Sequence, residues 1–192
     1  MLPEPIAATV QVTAVLEELG IPYFVAGSLA STIYGMVRTT QDSDLVAEMR
    51  REHVESFVHA LEGEFYLDEG MITDAVTQHT SFNIIHRANM FKVDVFVPQV
   101  RPFLKEQLSR ARRQVLATEP RAEAMVATAE DTLLAKLDWY RMGGEGSERQ
   151  WRDVLGILEV QAGSLELDYL HKWAKELRVS DLLERPLTQS VS

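Results

Sequence analysis

Three aspartates stand inside apolar, strand-like runs, and they restrict the folds open to this chain more than any other feature. Two lie one residue apart in Arg38-Thr39-Thr40-Gln41-Asp42-Ser43-Asp44-Leu45-Val46. The third sits among the valines of Phe91-Lys92-Val93-Asp94-Val95-Phe96-Val97. A carboxylate in apolar surroundings is costly unless something cationic pairs with it. Side chains at i and i+2 on a strand share a face, so Asp42 and Asp44 aim together and Ser43 points away. Asp94 joins them only if its strand runs alongside, about 4.8 Å away. Each pair of charges then repels by roughly 1 kcal/mol even in water-like surroundings. A fold that keeps all three has to place those strands side by side and bring a cation to them.

The chemistry that suits such a cluster is hard-cation chemistry. Magnesium takes carboxylate and phosphate oxygens, and two such ions ~3.5–4 Å apart can clamp both oxygens of an in-line phosphoryl displacement. Upstream, Phe24-Val25-Ala26-Gly27-Ser28 reads as a strand turning sharply into a helix. Gly27 has no Cβ and lets the backbone approach a ligand. The Ser28 hydroxyl and the amides at a helix start bind phosphate oxygens. Taken singly, each piece has a plain reading as a turn, a cap or an edge acid. Their order and spacing join them into a site for a nucleoside triphosphate, with metal on Asp42, Asp44 and Asp94. Arg38, just before the aspartate pair, suits either a phosphate or an ion pair with a nearby acid.

Composition narrows the classes. The 192 residues fit one domain or two small ones, and 46% are apolar, enough for a core. The apolar runs fall well short of the ~20 residues a spanning helix needs. The start, Met1-Leu2-Pro3-Glu4-Pro5, lacks the basic region of a signal peptide, so a cytoplasmic protein with no membrane contact is expected. With 0 cysteines, thiolate metal sites and cysteine nucleophiles are excluded. The net charge of −10 argues against a general nucleic-acid coat. The basic residues of 101–121 (Arg101, Lys105, Arg110, Arg112, Arg113 and Arg121) are read either as a solvated face or as a local patch for a polyanion. The five histidines show no metal-ligand spacing.

The pattern predicts a helix over 5–20, a strand at Tyr23–Ala26, a helix at Leu29–Tyr34 and a strand at Asp44–Met49. A helix at Arg51–Leu61, a short helix at 69–77, and a hairpin of Ser81–His86 with Phe91–Val97 follow. Beyond these come a helix at Arg101–Arg110 and short strands at Gln114–Thr118 and Glu123–Thr128. Helices at Asp131–Arg141, Glu148–Gln161, Leu167–Leu177 and Ser180–Leu183 complete the chain, with Gly143-Gly144-Glu145-Gly146 as a flexible connector. The organisation expected is an α/β (α+β) half over 1–98 and a mainly helical region over 99–192.

Gly27-Ser28, then Asp42-x-Asp44, then a strand aspartate resembles the DNA polymerase β-type nucleotidyltransferase superfamily over residues 20–97. The resemblance implies a small mixed sheet flanked by helices. It also implies transfer of a nucleoside monophosphate from an NTP, ATP among them, with pyrophosphate leaving. Glu130-Asp131-Thr132-Leu133-Leu134-Ala135-Lys136-Leu137 and Arg149-Gln150-Trp151-Arg152-Asp153-Val154-Leu155 look like motifs of the abortive-infection (AbiEii-like) branch, which includes toxins of toxin–antitoxin pairs. That branch implies Lys136 on the nucleotide phosphates, Asp153 as a further active-site acid, and a C-terminal region that completes the cleft. Whether Asp94 or Asp153 is the third acid stays open. Ser43 departs from the family, which often has a hydrophobic residue there. Without the resemblance, Lys136 reads as a snorkelling surface lysine and Arg152-Asp153 as a surface pair.

Three functions follow as expectations. The first is a magnesium-dependent nucleotidyltransferase, with Asp42, Asp44, Asp94, Lys136 and Asp153 carrying the chemistry and Gly27, Ser28, Arg38 and Lys136 holding nucleotide. Its acceptor is RNA (through 101–121), a protein hydroxyl or a small molecule. The second is a catalytically silent module that binds nucleotide or a partner. The third is a subunit of an assembly, such as the partner of a cognate antitoxin, docking through an exposed subset of Trp139, Tyr140, Trp151, Tyr169 and Trp173.

Overall fold

The computed structural model describes residues 2–35 and 42–189; Arg38 lies outside the described residues. The chain divides into two compact units. One runs to Leu29 and resumes with the second strand through Ala127; the other takes the remainder of the second helix, from Ala30, and everything from Thr128 on.

The first unit is built on one mixed seven-stranded sheet in the order β3-β4-β5-β2-β1-β7-β6. Helix α1 (Glu4–Glu18) precedes β1 (Tyr23–Ala26), and Gly20 supplies the positive φ that ends the helix turn. α2 (Gly27–Tyr34) leaves β1 directly. β2 (Asp42–Ala47) returns antiparallel to β1. A 3-10 turn at Arg51–His53, closed by the Arg50 amide donating to His53 Nδ1 (3.1 Å), leads into α3 (Val54–Leu61). β3 (Phe65–Tyr66), α4 (Glu69–Gln78), β4 (Ser81–His86) and β5 (Lys92–Phe96) follow. β4 and β5 form the expected antiparallel hairpin, and β5 lies parallel to β2. The strand expected at Asp44–Met49 begins two residues earlier, so both aspartates sit within it.

Residues 99–126, grouped above with the helical region, supply α5 (Pro102–Arg110), β6 (Arg112–Thr118) and β7 (Arg121–Val126) to this unit, because β7 bonds to β1 in parallel. The two faces of the sheet differ. Val25, Leu45, Val95, Phe82, Val93 and Ile84 are buried on one side, the alternation a half-buried sheet demands; α1, α3 and α4 belong to the same unit, with α1 against β2 and β7 and α4 against β4. On the other side Leu104 and Leu108 of α5 pack with Phe24, Ala26, Val46 and Ala127.

A polar junction ties α1 to the sheet. Tyr23 donates its hydroxyl to Glu17 Oε1 (2.6 Å) and accepts from the Met125 amide (3.2 Å), and Arg113 reaches the same Glu17 oxygen (3.1 Å). Burial and the bond to Glu17 push the Tyr23 phenol up to about 12.

The second unit holds α6 (Ala129–Met142), α7 (Glu148–Val160), α8 (Leu167–Glu176) and α9 (Ser180–Gln189). Thr128 and Ser147 cap α6 and α7 by accepting amide bonds from Asp131 and Gln150. Leu133, Leu137, Ile157, Leu170 and Leu182 are fully buried. α9 continues past Pro186, whereas the sequence pattern ends it at Leu183. The glycine-rich connector is tied down: Glu145 pairs with Arg141 (3.4 Å) and Arg185 (2.9 Å). Among the described residues no helix is long and apolar enough to cross a membrane.

Ser43 is fully buried on the apolar face, and among the described residues its hydroxyl has no hydrogen-bond partner. An unmatched buried hydroxyl is a net cost. Ser43→Ala therefore raises stability by about 1 kcal/mol in urea denaturation. A loss of stability would show that the hydroxyl is satisfied in solution.

Candidate active site

Strand register assembles the first cluster. Ala26, Asp44, Asp94 and Asn83 are direct cross-strand partners on β1, β2, β5 and β4, so their side chains line one row on one face. Asp42 and Lys92 are partners one step along the same face. The buried alternate residues, Ser43 and Leu45 on β2 and Val93 and Val95 on β5, confirm the phase. The three aspartates expected to cooperate are thus side by side on adjacent strands, each partly buried.

Gly27 meets the row from above. Its φ is +58°, and a Cβ built there would fall 1.7 Å from Asp44 Oδ2. The turn from β1 into α2 is therefore open only to glycine, for a reason of space as well as backbone. Ser28 follows on the first turn of α2 and is buried.

Sequence reasoning missed Lys92. Its Nζ lies 2.7 Å from Asp94 Oδ2. The bond to Asp94 is the main influence that holds the ammonium above the usual lysine range; burial opposes it, and the charges of Asp94, Asp42 and Asp44 add to it. The signal was available, because the i, i+2 spacing that joins Asp42 to Asp44 also joins Lys92 to Asp94. Asn83, exposed beside Asp94, was missed too, since only the pairing of β4 with β5 brings it there.

Among the described residues no three His, Cys, Asp or Glu side chains are gathered tightly enough to hold a metal ion. The donors nonetheless suit one in kind: hard carboxylate oxygens, on one face of adjacent strands, beside a backbone cradle that a Cβ would fill. The fit is one of chemistry and register, with Asp94 engaged by Lys92.

Lys136 and Asp153 meet in the helical unit. Lys136 Nζ donates to Asp153 Oδ2 at 2.8 Å, and the two side chains are 9% and 10% exposed. Neither plain surface reading holds: both side chains are nearly buried, and they pair with each other across α6 and α7. Nearby in the sequence, Asp131 is fully buried and accepts from Tyr169 (2.6 Å) and Thr128 (3.0 Å).

The basic run is largely spent on the chain itself. Arg113 binds Glu17, Arg121 binds Glu123, Arg101 donates to Gln99, and Arg112 donates to the Ser109 and Ala111 carbonyls. Of the aromatics singled out for docking, Trp173 is buried and Trp139 is half-exposed.

No family model matches the chain, and no curated protein matches it. Solved structures do. An antigenic nucleotidyltransferase-like protein from Paracoccidioides brasiliensis is 17% identical with a TM-score of 0.57, over 97% of this chain and 91% of that one. ANT(2")-Ia in complex with adenylyl-2"-tobramycin is 10% identical with a TM-score of 0.57, over 90% and 96%. The lincosamide antibiotic adenylyltransferase LnuA, lincomycin-bound, is 12% identical with a TM-score of 0.51, over 83% and 98%. The chain therefore has a mixed α/β nucleotidyltransferase-like fold with C-terminal helices. It shares that fold with antibiotic adenylyltransferases.

Two outcomes test the geometry. Gly20 has a φ of +67° with nothing within 4 Å of a built Cβ, whereas Gly27 has Asp44 in the way. Gly27→Ala should cost at least ~1 kcal/mol more than Gly20→Ala in urea denaturation, since backbone strain is common to both and the collision is not. Lys136→Met should destabilise by roughly 3–5 kcal/mol by removing one member of a nearly buried ion pair, and Lys136→Met with Asp153→Leu should recover most of it. Equal losses in the single and double variants would mean that the pair is not coupled.

Proposed function

We propose that this chain is a magnesium-dependent nucleotidyltransferase that moves a nucleoside monophosphate from an NTP to an acceptor hydroxyl. The observation that carries the reading is the alignment of Asp44 with Asp94 across β2 and β5, with Gly27 packed against the Asp44 carboxylate. In this reading Asp42, Asp44 and Asp94 would hold the metal. Gly27 and Ser28 would present backbone amides and a hydroxyl to the triphosphate at the start of α2. Lys136 and Asp153 keep the roles implied by the resemblance, a phosphate-binding cation and a further acid. The acceptor hydroxyl gives up its proton to solvent as its oxygen bonds to the α-phosphorus, the bond from that phosphorus to the β-phosphate oxygen breaks, and pyrophosphate leaves. Bound magnesium supplies neutralisation of the charge that develops on the phosphoryl oxygens.

A small molecule is the acceptor this reading favours over RNA. The net charge is −10, and Arg113 and Arg121 of the basic run are paired with acids of the chain itself. The likeness in fold to a protein named as a lincosamide antibiotic adenylyltransferase, and to one solved with adenylyl-2"-tobramycin, supports the same class. A toxin role with a cognate antitoxin rests on the resemblance around Lys136 and Asp153 alone. One observation favours a silent nucleotide-binding module instead: Asp94 is occupied by Lys92.

Incubation with each labelled NTP, magnesium, and a panel of aminoglycosides, lincosamides, protein and total RNA decides between them. Wild-type protein is expected to label a small hydroxylated acceptor. Asp44→Asn is expected to lose roughly 100-fold or more of that transfer while keeping its circular dichroism and melting temperature. Full transfer by Asp44→Asn would refute the site, and NTP binding without pyrophosphate release for any acceptor would favour the silent module.

A further inference from the structure

We propose that Lys92 is a resident counter-ion of the candidate metal site, whose ammonium holds Asp94 until a divalent cation displaces it. The inference rests on the reading of Asp42, Asp44 and Asp94 as metal ligands and assigns a regulator of that site. Three observations carry it. Lys92 precedes Asp94 by two residues on β5, so both side chains stand on the carboxylate face. It is also the cross-strand partner of Asp42, which sets the lysine between acids of two strands. Its Nζ is in contact with Asp94 Oδ2 at 2.7 Å.

The geometry sets this lysine apart from an ordinary surface pair: it touches Asp94 on its own strand and is the cross-strand partner of Asp42 on the next. One positive charge already placed among three negative ones has a direct consequence. A divalent ion arriving alone has to displace the ammonium from Asp94 and then sit near it, which weakens binding of the bare ion. A triphosphate arriving with the metal offers the displaced ammonium new phosphate oxygens. Lys92 thereby couples metal binding to nucleotide binding.

The test uses the full chain and manganese alone, without nucleotide, following free Mn2+ by its paramagnetic resonance signal. Lys92→Met should bind Mn2+ about five- to tenfold more tightly than wild type, as expected for removing one partly exposed like charge beside the ion. Lys92→Arg, which keeps the charge, should stay within about twofold of wild type. Asp94→Asn should weaken binding, which locates the ion. Mn2+ should also raise the melting temperature of Lys92→Met more than that of wild type, because tighter ligand binding stabilises the folded state more. The side chain of Lys92 is 43% exposed, so the methionine variant is expected to fold, and its melting curve checks this. Equal or weaker Mn2+ binding by Lys92→Met, with wild type still binding through Asp94, would overturn the proposal and leave the active-site reading standing. No Mn2+ binding by any of the proteins would overturn both.

Discussion

Like charges on adjacent strands are the constraint around which the sheet unit is organised. β2 and β5 run parallel, with Asp44 directly beside Asp94, and repulsion between such neighbours has to be answered locally. Three features of the fold answer it. The carboxylates stand at a partly exposed position instead of in the core. Lys92 places an ammonium among them. Gly27 keeps the chain above Asp44 free of a side chain that would push that carboxylate away. The apolar face behind them, filled by residues such as Leu45, Val93 and Val95, supplies the burial that holds both strands in this register.

The same alternation explains the one weakness of that face. Ser43 lies between the two aspartates and, because the strand period is two, is turned into the core, where its hydroxyl finds no partner among the described residues. Keeping both acids on one side forces whatever stands between them to the other. In the helical unit the polar groups are handled differently. Lys136 and Asp153 are both nearly buried and satisfy each other across two helices. Asp131 is buried with Tyr169 and Thr128. Such networks contribute little net stability when complete and cost several kcal/mol when one member is removed, so they fix how these helices pack more than they strengthen them.

Much of the architecture was legible before the fold. β1, the β4–β5 hairpin, α5 and the helices from α6 to α8 all follow from periodicity and punctuation by glycine and proline. The departures have physical causes. β3 is two residues long and too short to show alternation; it exists through its pairing with β4. β2 begins at Asp42 because pairing with Lys92 on β5 outweighs the low strand preference of aspartate. α9 runs past Pro186, although proline forfeits an amide bond there. Part of the basic run has partners that the sequence could not show, because Glu17, which pairs with Arg113, is distant in the chain.

Local chemistry was written into the sequence: a glycine-serine turn leaving a strand, an aspartate pair on a shared face, and a third aspartate in a later strand. Spacing along a strand determines which side chains share a face, so these readings needed no coordinates. What only the tertiary structure decided was neighbourhood between segments. Hydrogen-bond register set Asp94 beside Asp44 and gave Lys92 to the acids. Helix packing buried Lys136 against Asp153. Cross-strand pairing and helix contacts join residues far apart in the chain, and those partners are chosen by the energy of the whole fold rather than by any single run of residues.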